Sequence, residues 1–216
     1  MNILLTGFDP FGGEAINPSW EVARALDCQP IGAARVHARR LPTSFTGAPE
    51  QLARALAELA PAVVVALGQA SGRAEISIER VAVNLIDARI ADNDGHRPLD
   101  LPVRADAPAA YFSTLPVKAM RDALRDAGHP AGLSLTAGAF VCNQVFFELQ
   151  HRLAGTGVRS GFIHLPSLPE QAARAQPVPP SMGLAAQVVA IRLALAVALA
   201  GHPEHAAVAD EGAPTS

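Results

Sequence analysis

Cysteine is scarce in this chain: Cys28 and Cys142 are the only two among 216 residues. Two thiols so far apart make no disulfide framework, and no Cys/His cluster has the spacing of a zinc site. The reading is a cytoplasmic protein that needs no metal and no cofactor. An excess of positive charge is also missing. Seventeen basic and twenty acidic residues leave a formal net charge of −3 with no basic stripe, which argues against a nucleic-acid partner. The N-terminus, Met1 to Gly7, has no basic region and only a short apolar run, so it reads as a first strand rather than a signal peptide. One long apolar run, Ser181 to Ala200, follows Pro179-Pro180. It is rich in Ala and carries Gln187 and Arg192. A charge near the bilayer centre is costly, so a buried or subunit-packing helix is expected and a membrane span is not. No internal repeat is present.

Half of the residues are hydrophobic, enough for the core of one α/β domain. That domain is placed at residues 1–201. The stretch from His202 to Ser216 has Pro, Gly, Ala and acidic residues without a period, and is expected to be disordered. Strand and helix patterns alternate along the domain. Asn2–Thr6 reads as a strand, and Asn17-Pro18 as a helix cap followed by proline at the first helical position. Ala34–Leu41 is a strand, Pro49–Leu59 a helix, and Ala62–Leu67 a fully buried strand. Ile76–Ile86 is expected as one strand, half of a hairpin with residues near Ala88–Ile90. Val117–Ala127 is a helix, Leu133–Thr136 a strand, Val141–Gln150 a helix and Gly161–His164 a strand. This order predicts a mostly parallel sheet with helices on both faces.

Two loops, Gly7-Phe-Asp-Pro-Phe-Gly-Gly13 and Gly68-Gln-Ala-Ser-Gly-Arg73, follow strands, where open α/β sheets place ligands. The first lacks dinucleotide-binding spacing, and the second puts Ser71 one position late for a nucleophile elbow. Cys142 sits where a strand turns at Ala137-Gly138 into a helix. Two readings stay open for it: a buried structural thiol, or a nucleophile whose thiolate the helix dipole favours. Cys28, at a helix end, reads as structural. Among the seven histidines, His164 alone ends a buried strand. His37, His96, His129, His151, His202 and His205 read as solvated or structural. Glu79 lies in an otherwise apolar strand and needs a partner, either a nearby Arg or an imidazole that it orients. Asp87, Asp92 and Asp94 read as turn residues. A thiol, an imidazole and a carboxylate at element ends are the parts of a cysteine hydrolase.

Taken together, several segments resemble the type I pyroglutamyl peptidases, also called pyrrolidone-carboxylate peptidases. They are Leu4-Leu-Thr-Gly-Phe-Asp-Pro-Phe-Gly-Gly13, Asn17-Pro-Ser-Trp20, Leu67-Gly-Gln-Ala-Ser-Gly-Arg73 and Ile78-Glu-Arg-Val-Ala-Val-Asn84. Asp87-Ala-Arg-Ile-Ala-Asp-Asn-Asp-Gly95, Ala109-Ala-Tyr-Phe-Ser-Thr-Leu-Pro116, Ala137-Gly-Ala-Phe-Val-Cys-Asn143 and Phe162-Ile-His-Leu-Pro166 complete the match. Ser71 and Phe140 depart from the family pattern. The resemblance implies a three-layer α/β/α sandwich with a mostly parallel central sheet, assembled as a homotetramer. It implies Cys142 as nucleophile, His164 as base and Glu79 as orienter, with Arg89 beside the oxyanion. Phe8 and Phe11 flank the pyroglutamyl ring, Gln69 lies near the lactam, and Asn17 is counted with the substrate-binding residues. The implied substrates are peptides with an N-terminal pyroglutamate, cleaved through a thioester. A nucleoside-phosphorylase-like enzyme and a non-catalytic binding protein on the same sandwich are the rival readings.

Overall fold

The computed structural model describes residues 1–201; the tail from His202 to Ser216 lies outside the described residues. Its strands are β1 (Asn2–Phe8), β2 (Pro30–Ile31), β3 (Ala34–Leu41), β4 (Val63–Gln69), β5 (Ile76–Glu79), β6 (Val81–Val83), β7 (Ala110–Phe112), β8 (Ala131–Ser134) and β9 (Arg159–Leu165). Its helices are α1 (Pro18–Leu26), α2 (Gly47–Leu59), α3 (Val117–Asp126), α4 (Val141–Leu153), α5 (Pro169–Ala172) and α6 (Leu184–Ala200).

Side-chain alternation divides the core in two. Ile3 and Leu5 of β1, Val63, Val65 and Leu67 of β4, Ile76 and Ile78 of β5, and Ile163 and Leu165 of β9 share one face. There they meet Val22 and Leu26 of α1, Met120 and Leu124 of α3, and Ile191 and Leu195 of α6. Leu4 and Phe8, Val64 and Ala66, and Phe162 point the other way, onto Leu52 of α2 and Val145, Phe146 and Phe147 of α4. Strands buried on both faces read as continuous apolar runs, and two helical layers around one sheet make the α/β/α sandwich.

The sheet has seven strands in the order β2-β3-β1-β4-β9-β5-β8. β1 runs parallel to β3 and β4, β4 to β9, and β5 to β8, while β2–β3 and β5–β9 are antiparallel. The carboxyl ends of β1, β4 and β9 therefore lie side by side. β5 runs against β9, which brings its Glu79 end back along the sheet.

Local signals place most elements. Asn17 accepts the Ser19 N–H at the start of α1, with Pro18 in its first turn. Gly138, at φ 80°, supplies the left-handed turn before α4. The expected single strand over Ile76–Ile86 is instead broken at Arg80. The Arg80 N–H bonds Ser134 O at 2.8 Å, while its carbonyl accepts from Ser113 N at 2.9 Å. The chain leaves the main sheet there, and β6 pairs with β7 in a separate two-stranded sheet. No hairpin forms with residues 88–90; Ile86 bridges Leu101 instead. The short α5 follows β9 after a three-residue connection. Among the described residues no helix is long and apolar enough to cross a membrane. α6 buries Ile191, Leu195 and Gln187 and leaves Val189 exposed.

Asn143 fastens the departing β6 to α4. It is fully buried. Its Oδ1 accepts Val83 N at 3.0 Å, and its Nδ2 donates to Val83 O at 2.8 Å and Leu85 O at 2.9 Å. Asn143→Ala removes all three partners from backbone groups of this segment. It is expected to cost about 2–4 kcal/mol, read by chemical denaturation, because stranded buried polar groups carry their full desolvation penalty.

Candidate active site

The register of β5 on β9 sets the centre of the site. Glu79 stands opposite Phe162 and Ser77 opposite His164, so Glu79 and His164 are diagonal neighbours on one face of the sheet. His164 Nδ1 and Glu79 Oε1 are 2.8 Å apart, a bond in which an ionised carboxylate accepts from the ring. Both are buried, Glu79 completely. The His164 ring also packs on Phe162, with centroids 4.9 Å apart. A Cβ at Gly68 would come within 2.8 Å of Phe162 and 3.0 Å of His164 Cδ2, so only glycine lets β4 pass this close to the imidazole. Both partners that the sequence left open for Glu79 are present, because Arg73 Nη1 lies 3.0 Å from the same Oε1.

Cys142 is the second residue of α4, after Phe140 and Val141 at the helix start, and is half-buried. The sheet face carrying Glu79 and His164 is the one that α4 covers. Burial, and then the negative charge of Glu79, push its thiol up from 9.0 to about 12, while its own backbone N–H acts in the opposite direction. The expectation that the helix dipole favours a resting thiolate is thus corrected: desolvation and the nearby carboxylate outweigh the first turn of α4. Cys28 is exposed in the turn after α1.

The loops above the strand ends surround this centre. Phe11 is half-buried, with its ring 6.4 Å from Phe140, and Phe140 meets Phe45 edge-on at 5.2 Å. Phe8 lies deeper. It is 2 % exposed and packs at 6.4 Å on Phe162. Strand β1 extends through Phe8 and turns its side chain toward the core. Asn17 is also turned inward. It caps α1 and donates from Nδ2 to Asp9 O at 3.0 Å, which fixes the loop carrying Phe11. Thr43 Oγ1 donates to the same Asp9 carbonyl at 2.9 Å, and Asn93 Nδ2 to Pro10 O at 2.9 Å.

Gln69 ends β4. Its Nε2 donates to Ser71 Oγ and Ser167 Oγ, each at 3.2 Å, and its Oε1 accepts from Gln171 Nε2 at 3.4 Å. The side chain thus ties the loops after β4 and β9 together. Arg89 is exposed and makes no ion pair or hydrogen bond among the described residues. Its loop is docked on the approach to α4 by Asp87 N donating to Ala139 O at 2.9 Å. Ligand atoms of Asp92, Asp94 and His96 lie within 4.8 Å of one another. The Asp92 carboxylate, however, already accepts Asp94 N, His96 N and Phe45 N at 2.8–3.0 Å, which is the turn role read from the sequence.

Sequence reasoning did not single out Arg73, Phe45 or Phe140 as neighbours of the site. The Arg73 signal was present, since a buried Glu needs a cation and Arg73 is close in sequence, but choosing among nearby arginines required the loop path.

The raised thiol has a consequence for stability. The folded state holds the Cys142 proton up to about 12 while the unfolded chain releases it near 9.0. Folding stability contributed by this group is therefore intact below pH 9 and falls as pH rises from 9 toward 12. Thermal melts over this window are expected to show the wild type losing stability that Cys142→Ala retains, at most about 1.4 kcal/mol per pH unit.

The pyroglutamyl peptidase family model matches residues 1–201. The pyrrolidone-carboxylate peptidase of Cupriavidus pinatubonensis is 57% identical over 201 residues, covering 92% of this chain and 93% of that protein. The Pseudomonas fluorescens protein of the same name is 55% identical over 197 residues, covering 91% and 92%. Among solved structures, pyroglutamyl peptidase I of Bacillus amyloliquefaciens superposes with a TM-score of 0.89 at 40% identity, covering 93% of this chain and 97% of its own. A mutant pyrrolidone carboxyl peptidase of Pyrococcus furiosus gives 0.90 at 46% identity, covering 93% and 99%. The chain belongs to the pyroglutamyl peptidase family of cysteine peptidases.

Proposed function

We propose that this chain removes an N-terminal pyroglutamyl residue from peptides through a thioester on Cys142, with His164 as base and Glu79 as its orienter. The observation that carries the assignment is the buried Glu79–His164 pair at 2.8 Å, on the sheet face covered by the helix whose first turn holds Cys142.

With Nδ1–H donated to Glu79, the lone pair of His164 is on Nε2. A thiol held up at about 12 is neutral at rest, so thiolate forms only as His164 takes the proton, and Cys142 Sγ attacks the carbonyl joining pyroglutamate to the next residue. Glu79 stabilises the imidazolium so formed. The early N–H groups of α4, Cys142 N–H among them, have no intrahelical acceptor and face the developing oxyanion; Arg89 adds charge there. The carbon–nitrogen bond then breaks as His164 returns its proton to the leaving amine. Water hydrolyses the thioester in the second half-reaction, with His164 again as base.

Pyroglutamate is a neutral lactam without an ammonium. Phe11 and Phe140 offer it apolar ring faces, and the segment ending in Gln69 supplies polar partners for the lactam. Phe8 and Asn17 serve this pocket from beneath, by supporting its walls. The same reading makes residues 1–201 one catalytic domain acting in the cytoplasm as a homo-oligomer. Phe112, Leu101 and Val189 are large apolar side chains left exposed on the protomer.

The wild type is expected to cleave a fluorogenic pyroglutamyl amide at least about a thousandfold better, in kcat/KM, than the prolyl or glutaminyl amide. Either alternative would bring an ammonium into an apolar pocket. Comparable rates on all three would remove the pyroglutamyl assignment. Cys142→Ala should abolish turnover with the fold intact, whereas Cys28→Ala keeps most of it.

A further inference from the structure

The loop after β4 delivers a cation that the proposed reaction does not use. Arg73 Nη1 and His164 Nδ1 converge on a single oxygen, Glu79 Oε1, at 3.0 and 2.8 Å. The other oxygen, Oε2, is buried with no hydrogen-bond partner among the described residues. The Glu79 side chain is 0% exposed and that of Arg73 33% exposed. Three titratable groups bear on Glu79: Arg73 from the loop, His164 from β9 and, through its field, Cys142 from α4. When His164 is in its base form and Cys142 is a thiol, Arg73 is the one of the three that carries a positive charge. A carboxylate removed from water is costly unless a cation stands beside it.

We propose that Arg73 is a positioning residue that keeps Glu79 ionised, so that Glu79 accepts the hydrogen bond from His164 Nδ1 rather than donating one to it. A protonated Glu79 would give its O–H to Nδ1. The ring proton would then sit on Nε2, and the imidazole would face the thiol with a donor instead of a lone pair. The loop holds Arg73 at this point. Ala70 N donates to Leu165 O at 2.9 Å and Arg73 N to Ala70 O at 3.4 Å. Ser71 joins the clasp, with Ser167 Oγ donating to Ser71 Oγ at 3.2 Å. The cation is thereby fixed to the end of the strand that carries the histidine.

The inference rests on the proposed roles of Glu79, Cys142 and His164, and one set of variants separates the two. Activity on a fluorogenic pyroglutamyl amide is measured across pH per folded molecule, for wild type, R73Q, R73A, R73K, E79Q and the R73Q/E79Q pair. R73Q is expected to lower kcat/KM at pH 7 by about tenfold or more, chiefly in kcat. It should also move the acid limb of the profile upward by about one pH unit, because losing the cation favours protonation of Glu79 and of His164 alike. R73K, a point charge on a flexible stem, recovers part of the loss. In R73A, added guanidinium ion should restore activity by entering through the open cavity lined by Ala74, Glu75, Ser77, Pro130, Leu133 and Ser134. In the E79Q background R73Q should cost little further, since Arg73 acts through the Glu79 charge. An unmoved acid limb in R73Q, no response of R73A to guanidinium, and costs that multiply in the double variant would overturn the role of Arg73 while an impaired E79Q left the other assignments standing. A fully active E79Q would remove the role of Glu79, and this inference with it.

Discussion

One buried carboxylate organises the centre of this molecule. Glu79 has no water, so its charge must be met by groups the fold brings to it, and the fold brings two to one oxygen. The antiparallel register of β5 on β9 supplies the imidazole, and the loop after β4 supplies the guanidinium. The third consequence of that charge falls on Cys142, whose proton it helps retain. On the roles proposed for these residues, the charge that readies the histidine also opposes a free thiolate, which favours coupled proton transfer and attack.

Around that centre, much of the polar hydrogen bonding positions loops. Asn17, Thr43 and Asn93 hold the turn of Asp9 and Pro10 below Phe11. Asp92 and Gln144 hold the backbone of Phe45 from two sides, at 2.8 and 2.9 Å. Gln69, Ser71, Ser167 and Gln171 join the loops after β4 and β9. These hydrogen bonds are made within the protein, so the walls of the site are held before a ligand arrives. Binding to a preorganised wall orders fewer side chains.

The layered architecture was legible in the sequence because it rests on local patterns. Continuous apolar runs marked β1 and β4, and Asn17-Pro18 marked the start of α1. Cys142, Glu79 and His164 stood out because each put a chemically able group at the end of an apolar segment. What escaped depends on distance in space. The break at Arg80 comes from the pairing of β6 with Ala110–Phe112, some thirty positions on, while local alternation continues through the break. The depth of Phe8 follows from how far β1 extends beneath α4, and the sign of the shift at Cys142 from the placement of Glu79, sixty-three positions earlier. A helix-terminus argument sees only the dipole; it cannot see a carboxylate brought in by another strand.

Gln187 links these observations to the order in which the chain is made. It is wholly buried in α6, and its Nε2 donates to Pro166 O at 3.1 Å and Met182 O at 2.8 Å. Pro166 is two residues past His164. Cys142, His164 and Glu79 all leave the ribosome before Gln187 does. Until α6 docks against α1 and α3, the hydrogen bond from Gln187 to that carbonyl is missing. The nascent chain therefore carries all three side chains before the segment just past His164 gains its bond to the helix α6.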